Sequence, residues 1–335
     1  MARRDENSRG LEPNRVKRVT EGVSLIESTV RRACVTGGAG FIGSHLVDAL
    51  RVRGIEVVVL DDLSSGQVEN LTKHSDGLEL IEGSVTESAM CSAAVQGCDL
   101  VFHLASRVSV VESVEKPGLY RSICAGGTRQ MLEAAEAAGV RRLIHAGSCS
   151  VYGDAPPPIR EDAPTSPTSP YAAAKREAEE HCREFARSGR LETVCPRFFN
   201  VYGPRQRADS PYAGVIAIFA AMAARGETPV IFGTGEQTRD FIHVADIVSG
   251  LLLAGITGGV AGGQPINLGS GRATSILELA AFLGCGIPRH EPARQGEILH
   301  SLADPSLARR VLGFKSAIEL EAGLQDPSLR DSGEG

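Results

Sequence analysis

The sequence predicts an α/β protein: a doubly wound parallel sheet flanked by helices, followed by a smaller, discontinuous lobe. Three observations predict it. Short β-branched runs alternate with amphipathic helical stretches from Arg31 to about Asn200, the rhythm of strands joined by crossover helices. Those runs are apolar almost without interruption, as strands covered on both faces are. After about Val201 the rhythm loosens into Gly- and Pro-rich chain with fewer strand signals.

The strand signals fall at 33–36, 56–60, 78–83, 99–105, 142–148 and 192–198, and helical patterns at 43–54, 128–139 and 171–189. Pro170 stands just ahead of the last helix, with Ser169 placed to cap it. Four segments follow. Residues 1–30 are polar and mildly basic, lack the apolar core of a signal peptide, and read as a loosely ordered extension. Residues 31–200 form the sheet domain, with a return segment near 240–268; residues 201–325 form the lobe; residues 326–335 read as a frayed tail.

Bulk properties exclude several classes. The chain has 335 residues, 42% hydrophobic and 23% charged, with a formal net charge of -6 and no basic stripe, which argues against a nucleic-acid partner. No apolar run approaches the ~18 residues needed to span a bilayer. The eight cysteines show neither a C-x-x-C pair nor metal-ligand spacing. Reduced, buried thiols in a cytoplasmic protein, with no metal site, are expected.

Candidate chemistry begins at Cys34–His45, CVTGGAGFIGSH, read as strand, tight turn and helix start. Gly37, Gly40 and Gly43 give G-x-x-G-x-x-G, one residue wider than the commonest dinucleotide fingerprint. Glycines there let backbone approach a pyrophosphate, and the helix opening at Phe41 aims N–H groups at the same spot. Asp61, ending the second strand 24 residues after Gly37, stands where a ribose-binding carboxylate is expected. A carboxylate that merely caps the next turn is the alternative. Asp62 beside it, and the lack of arginine in 63–70, favour NAD over NADP. Leu104 and Ala105 end the fourth strand, where ligands gather; His103 before them reads as structural.

The second constellation is Ser148, Tyr171 and Lys175. Four residues apart in a helical pattern, Tyr171 and Lys175 share a face. A phenol near pKa 10 is a poor base at neutral pH, and a nearby ammonium together with an oxidised nicotinamide favours phenolate; a shift of ~3 units takes about 4 kcal/mol. Ser148, ending the fifth strand, can hydrogen-bond the same hydroxyl. An exposed helical pair with no chemistry is the competing reading of Y-x-x-x-K.

With these residues in order, the chain resembles the extended short-chain dehydrogenase/reductases, in particular the NAD-dependent nucleotide-sugar epimerase/dehydratase family. Seven blocks carry the likeness between about Ala33 and Leu324: TGGAGFIGSH, HAGSCSVYGD, SPYAAAK, RFFNVYGPRQ, GEQTRDFIHVAD, INLGSG and RQGEILHSLAD. The resemblance implies a Rossmann domain holding NAD through Gly37, Gly40, Phe41, Ile42, Gly43 and Asp61. It extends those contacts to Ser84, Val85, Leu104, Ala105, Tyr171 and Lys175. It makes Tyr171 the base, Lys175 its partner on the ribose, and Ser148 an assistant. Substrate contacts are implied at Ser109, Ser148, Ser150, Asn200, Arg239, Arg294, Glu297 and Ser301. Two arginines outside the dinucleotide fold suit a diphosphate, since a guanidinium fork matches its oxygens.

The resemblance also separates reactions. Dehydratases of the family resemble each other in an acidic pair after the catalytic hydroxyl residue, and the decarboxylating branch carries an acid there too. Cys149 and Ser150 stand at those positions here. Epimerisation at C4 of a UDP-hexose through a 4-keto sugar is therefore expected. Ser301, small where UDP-glucose-restricted relatives are bulky, and SPYAGVI (210–216) tilt the expectation toward UDP-N-acetylglucosamine or dual specificity. The alternatives are a dTDP- or GDP-sugar reaction on the same scaffold, or a non-catalytic NAD-binding protein. Cys124 replaces the family's usual Asn and Ser84 its usual Asp, which removes cofactor hydrogen bonds and predicts weaker NAD retention. The helices at 171–187 and 128–138 are candidates for a homodimer interface.

Overall fold

The computed structural model describes residues 29–74, 76–207, 214–293 and 298–329. The first strand, β1 (Arg32–Thr36), runs into the glycine loop and helix α1 (Phe41–Val52). Helix α1 turns Leu46, Val47 and Leu50 inward and leads to β2 (Glu56–Asp61) and β3 (Leu78–Glu82). Helix α2 (Ser88–Ala94) precedes β4 (Leu100–His103), after which come the short helices α3 (Val110–Glu115) and α4 (Pro117–Tyr120). A π turn, Arg121–Gly126, leads from α4 into helix α5 (Gly127–Ala137), which is followed by β5 (Arg142–His145) and β6 (Gly147–Ser148). Helix α6 (Pro170–Arg187) leads to β7 (Glu192–Phe198) and β8 (Asn200–Tyr202).

These strands assemble in the order β3-β2-β1-β4-β5-β7 with every pairing parallel. Gln264–Leu268, the strand β12 of the chain, adds to β7 as the outermost member. Successive connections run outward one way from β1 to β3 and the other way from β4 onward. The crevice between β1 and β4 is therefore the topological switch point, where ligands of such sheets bind beyond the carboxyl ends.

Side-chain alternation splits the core into two layers. Val35, Val57, Val59, Phe102 and Ile144 face one layer with Leu251 and Leu268. Cys34, Val58, Leu60, Val101 and Leu143 face the other with Met131 and Cys195. Each such residue removed from water contributes roughly 1.5–3 kcal/mol. The double coverage read from the sequence fails at β3, whose five residues are all exposed or half-exposed. Among the described residues no strand pairs beyond it, so Leu78 and Leu80 sit on a sheet edge. All eight cysteines are free thiols and seven are buried; burial pushes Cys91 and Cys98 up to about 11, so they behave as small apolar groups.

Beyond β8 lie strand fragments that the sequence did not announce. Helix α7 (Val215–Ala224) is followed by β9 (Val230–Phe232), β10 (Thr238–Arg239) and β11 (Phe241–His243). Helix α8 (Val244–Ile256) leads to β12, then β13 (Thr274–Ser275) and helix α9 (Ile276–Phe282). Pairs β8–β11, β10–β13 and β9 with Arg289–Glu291 make three two-stranded sheets. Two or three residues per strand are too few for periodicity to register. Their apolar residues gather in a cluster of Tyr202, Phe219, Ile231, Phe241 and Leu279.

Candidate active site

A cavity of about 380 Å³ opens at the switch point, and its wall begins with the glycine loop. Gly37 has φ +68°, and a Cβ there would lie 2.8 Å from the Ala105 amide nitrogen. A Cβ on Gly43 would collide with the Gly37 carbonyl. No other residue fits either position. Gly40 caps α1 without any side-chain hydrogen bond, so the first N–H groups of the helix stay available to an anion, aided by the helix dipole.

Asp61 lines the same cavity and is 7% exposed. Its Oδ2 accepts the Ala39 N–H at 2.9 Å and its Oδ1 the Leu63 N–H at 2.9 Å. Burial raises its pKa, while those two N–H donors oppose the rise. The carboxylate thus caps its own turn and also ties β2 to the glycine loop, leaving lone pairs for a ribose hydroxyl. Around it the wall is Asp62, Ser64, Ser65, Gln67 and Asn70, acidic or neutral, which suits a ribose and repels a 2′-phosphate.

Val85, Leu104, Ala105 and Ser109 complete this wall with Ser84. The Ser84 hydroxyl pairs with Thr86 at 2.8 Å. Cys124, in the π turn, is 1% exposed and places its Sγ 3.2 Å from the Ser106 hydroxyl. His103 is structural: Nδ1 meets the Thr36 hydroxyl at 2.7 Å and Nε2 the Thr128 hydroxyl at 3.0 Å.

Tyr171 and Lys175 form the far end of the cavity. They lie in the first two turns of α6, which Ser169 caps by accepting the Ala172 N–H at 3.2 Å. Tyr171 is 8% and Lys175 3% exposed, so they are not an exposed helical pair. Burial raises the Tyr171 phenol, and the Ser148 hydroxyl is the leading influence that lowers it. The Lys175 ammonium donates to the Ala146 carbonyl at 3.0 Å, and burial lowers its own pKa.

Ser148 ends β6, its hydroxyl 2.9 Å from that of Ser150. Between them the Cys149 thiol is pushed up to about 12 by burial and hydrogen-bonds the Ser301 hydroxyl. Ser301 is 8% exposed and donates its N–H to the Thr238 carbonyl at 3.1 Å. Arg239, on β10, donates from Nη1 to the Thr238 carbonyl at 2.9 Å. Asn200 donates from Nδ2 to the Asp240 carbonyl at 3.3 Å. Ser301, Arg239 and Asp240 thus lie around Cys149. Among the described residues that line the cavity, only Ser109 of the expected substrate contacts appears. Arg294 and Glu297 lie outside the described residues, as does part of SPYAGVI.

Several residues escaped sequence reasoning. Asp240 is fully buried and accepts from the Ser270 N–H and hydroxyl, the Gly271 N–H and the Ala303 N–H, all within 3.0 Å. It fastens β10 to the segments after β12 and before α10 (Ser306–Leu312). Tyr120 donates to Glu112 at 2.9 Å, and its ring stands edge-on to Tyr171 at 6.3 Å. Arg205, Gln206 and Arg207 also line the cavity. The block RFFNVYGPRQ contains two of these three, yet spacing gives no sign of the direction in which a loop returns.

With the glycine cradle, an uncapped helix start, a buried acid and a buried Tyr–Lys pair on one cavity, comparison with known proteins becomes informative. Residues 33–269 match the model of the NAD dependent epimerase/dehydratase family. The chain belongs to this family. A UDP-glucose 4-epimerase of Mycolicibacterium smegmatis is 39% identical over 303 residues, 88% of this chain and 96% of that one. A UDP-N-acetyl-alpha-D-glucosaminuronate decarboxylase of Bacillus cytotoxicus is 36% identical over 256 residues, 75% of this chain and 78% of its own. A solved UDP-N-acetylglucosamine 4-epimerase from Methanobrevibacter ruminantium is 36% identical, with a TM-score of 0.84, covering 90% of this chain and 97% of that one. The protein is thus an enzyme of the NAD-dependent nucleotide-sugar epimerase/dehydratase family with a Rossmann-like fold, and NAD is its cofactor. The cavity offers what such a cofactor needs: an uncapped helix start that would suit phosphates, a buried carboxylate at Asp61 that would suit a ribose, and Tyr171 with Lys175 on the same wall.

Proposed function

We propose that this enzyme epimerises a UDP-hexose at C4. One observation carries the reading: the turn after Ser148 offers a thiol and a hydroxyl, Cys149 and Ser150, and no carboxylate. Elimination or decarboxylation needs a group that handles a second proton beside the C4 chemistry. The acid that influences Cys149 is Asp240, and its oxygens are engaged by four donors. That leaves it unsuited to shuttle protons.

NAD, when bound, supplies the hydride acceptor and donor at C4. Tyr171 takes the proton of the C4 hydroxyl and returns it after the 4-keto sugar has turned its other face. Ser148 hydrogen-bonds the phenol and carries the proton between it and the sugar oxygen. Lys175, held by Ala146, orients the nicotinamide ribose. Desolvation holds the phenol protonated before cofactor and substrate arrive, so the positive nicotinamide ring is what favours phenolate at the moment of reaction. Asn200, Arg239 and Arg294 anchor the diphosphate.

Ser301 sets the sugar class. A small hydroxyl beside Cys149 leaves space for an N-acetyl group at C2, so both UDP-N-acetylglucosamine and UDP-glucose are substrates. The test is a panel of UDP-glucose, UDP-galactose, UDP-N-acetylglucosamine, UDP-glucuronate and dTDP-glucose, followed by chromatography of the nucleotide-sugar products. C4 epimers must appear from the UDP-hexoses, with neither a pentose from UDP-glucuronate nor a 4-keto-6-deoxy sugar from dTDP-glucose. Either of those products in place of epimers overturns the reading.

A further inference from the structure

The loop after β8 is fastened to the helix that opens the cofactor cradle. His45 and Asp48, three residues apart in the second turn of α1, share one face. The His45 Nε2 lies 2.9 Å from the Pro204 carbonyl; a carbonyl only accepts, so that nitrogen carries the proton. Arg205 donates from Nη2 to the Asp48 carboxylate at 2.6 Å, an ion pair whose side chains are only 16% and 23% exposed.

The loop is tightly specified. Arg205 holds φ +66°, a left-handed conformation that a non-glycine residue keeps only where its surroundings demand it. Gln206 donates to the Val201 carbonyl at 3.2 Å, folding the loop back on β8. On the α1 side, the Phe41 ring stands edge-on to His45 at 6.1 Å. Arg205, Gln206 and Arg207 then form part of the same cavity wall as Gly37, Gly40 and Phe41. Two arginines thus stand, with the glycine loop, on the wall of the cavity that would take the cofactor's pyrophosphate.

We propose that Pro204–Arg207 is a clasp over the bound NAD, and that the His45–Pro204 and Asp48–Arg205 contacts set the rate at which NAD leaves. A cofactor regenerated in every cycle does not need to exchange, so a closed wall costs the reaction nothing. Leaving requires the wall to part. The parting breaks one hydrogen bond and one half-buried ion pair, both made to the second turn of α1. The clasp also offsets what Ser84 and Cys124 withhold, since neither side chain matches the usual cofactor-binding acid or amide. His45 and Asp48 are positioning residues here, acting through the loop they hold. The inference rests on NAD occupying this cavity.

The test follows NAD leaving the loaded protein. Enzyme saturated with NAD is freed of excess cofactor and mixed with alcohol dehydrogenase and ethanol, so that each released NAD appears as NADH absorbance. Asp48→Ala is expected to speed release by on the order of tenfold, the usual consequence of truncating one partner of a partly buried charge pair. His45→Ala is expected to speed it several-fold, and both variants must keep the cofactor-free melting temperature within a few degrees of wild type. Glu79→Ala, which breaks the exposed Arg32–Glu79 pair at the sheet edge, must leave release unchanged. Gly43→Ala separates the two ideas. If it retains NAD, the cavity assignment itself fails. If it loses NAD while Asp48→Ala and His45→Ala release at the wild-type rate, the clasp fails and the cavity assignment stands.

Discussion

Glu179 and Arg197 meet fork to fork beneath the helix that carries Tyr171 and Lys175, with Nε to Oε1 at 2.9 Å and Nη2 to Oε2 at 2.6 Å. Both side chains are essentially excluded from solvent. The guanidinium also lies 4.6 Å from the centroid of the Tyr152 ring, and Tyr152 donates to Asn267 at 2.6 Å. The network links α6, β7, the turn after Ser148 and β12. Removing one member leaves a buried charge unpaired. Glu179→Ala is expected to lower stability by about 3–5 kcal/mol, whereas Glu179→Leu with Arg197→Met recovers most of the loss. Urea unfolding of the two variants checks both values.

Stability depends on acid in a predictable direction. Burial lowers His103 to about 3 and His145 well below its ordinary value, so both are neutral in the folded chain near neutrality. Unfolded, each takes up a proton near pH 6.5. Below that pH the unfolded state binds more protons, and stability falls by about 1.4 kcal/mol per pH unit for each histidine. The loss runs from about pH 6.5 toward pH 3. Neither ring nitrogen of His145 has a hydrogen-bond partner among the described residues. His145→Phe is therefore expected to lower the slope of stability between about pH 6 and 5 by about 1 kcal/mol per pH unit, one histidine's share. Denaturant midpoints across that range read it, and an unchanged slope rejects the assignment.

The glycine loop makes a prediction about binding. Gly43→Ala sets a methyl group against the Gly37 carbonyl and the Gly38 backbone, where the chain has no room to yield without closing the cradle. NAD binding measured by calorimetry is expected to weaken at least about a hundredfold, since the lost N–H contacts to phosphate are charge-assisted.

Proton transfer and sugar size are separable. Tyr171→Phe is expected to reduce kcat by about 10²–10⁴-fold, the usual contribution of a positioned acid–base, with NAD binding kept. Ser301→Tyr sets a bulky ring beside Cys149. It is expected to suppress turnover of UDP-N-acetylglucosamine by about a hundredfold or more while UDP-glucose turnover changes little, because a steric clash acts on the larger sugar alone.

What the sequence determined by itself is the frame and the order of its chemical residues. Alternating strand and helix periods are local properties, so the parallel sheet, the cap at Ser169, and the positions of Gly37, Asp61, Ser148 and Tyr171 along it were legible before any packing was known. Tertiary structure decided what local patterns do not encode. Whether Lys175 meets Tyr171 or the Ala146 carbonyl depends on how α6 settles against β6. That β3 is an edge, and so half-exposed, depends on which strands pair. Short strands such as β10 exist because Asp240 collects donors from segments 30 and more residues away. The return of Arg205 onto Asp48, 157 residues earlier, is likewise a matter of long-range closure, which periodicity and spacing carry no record of.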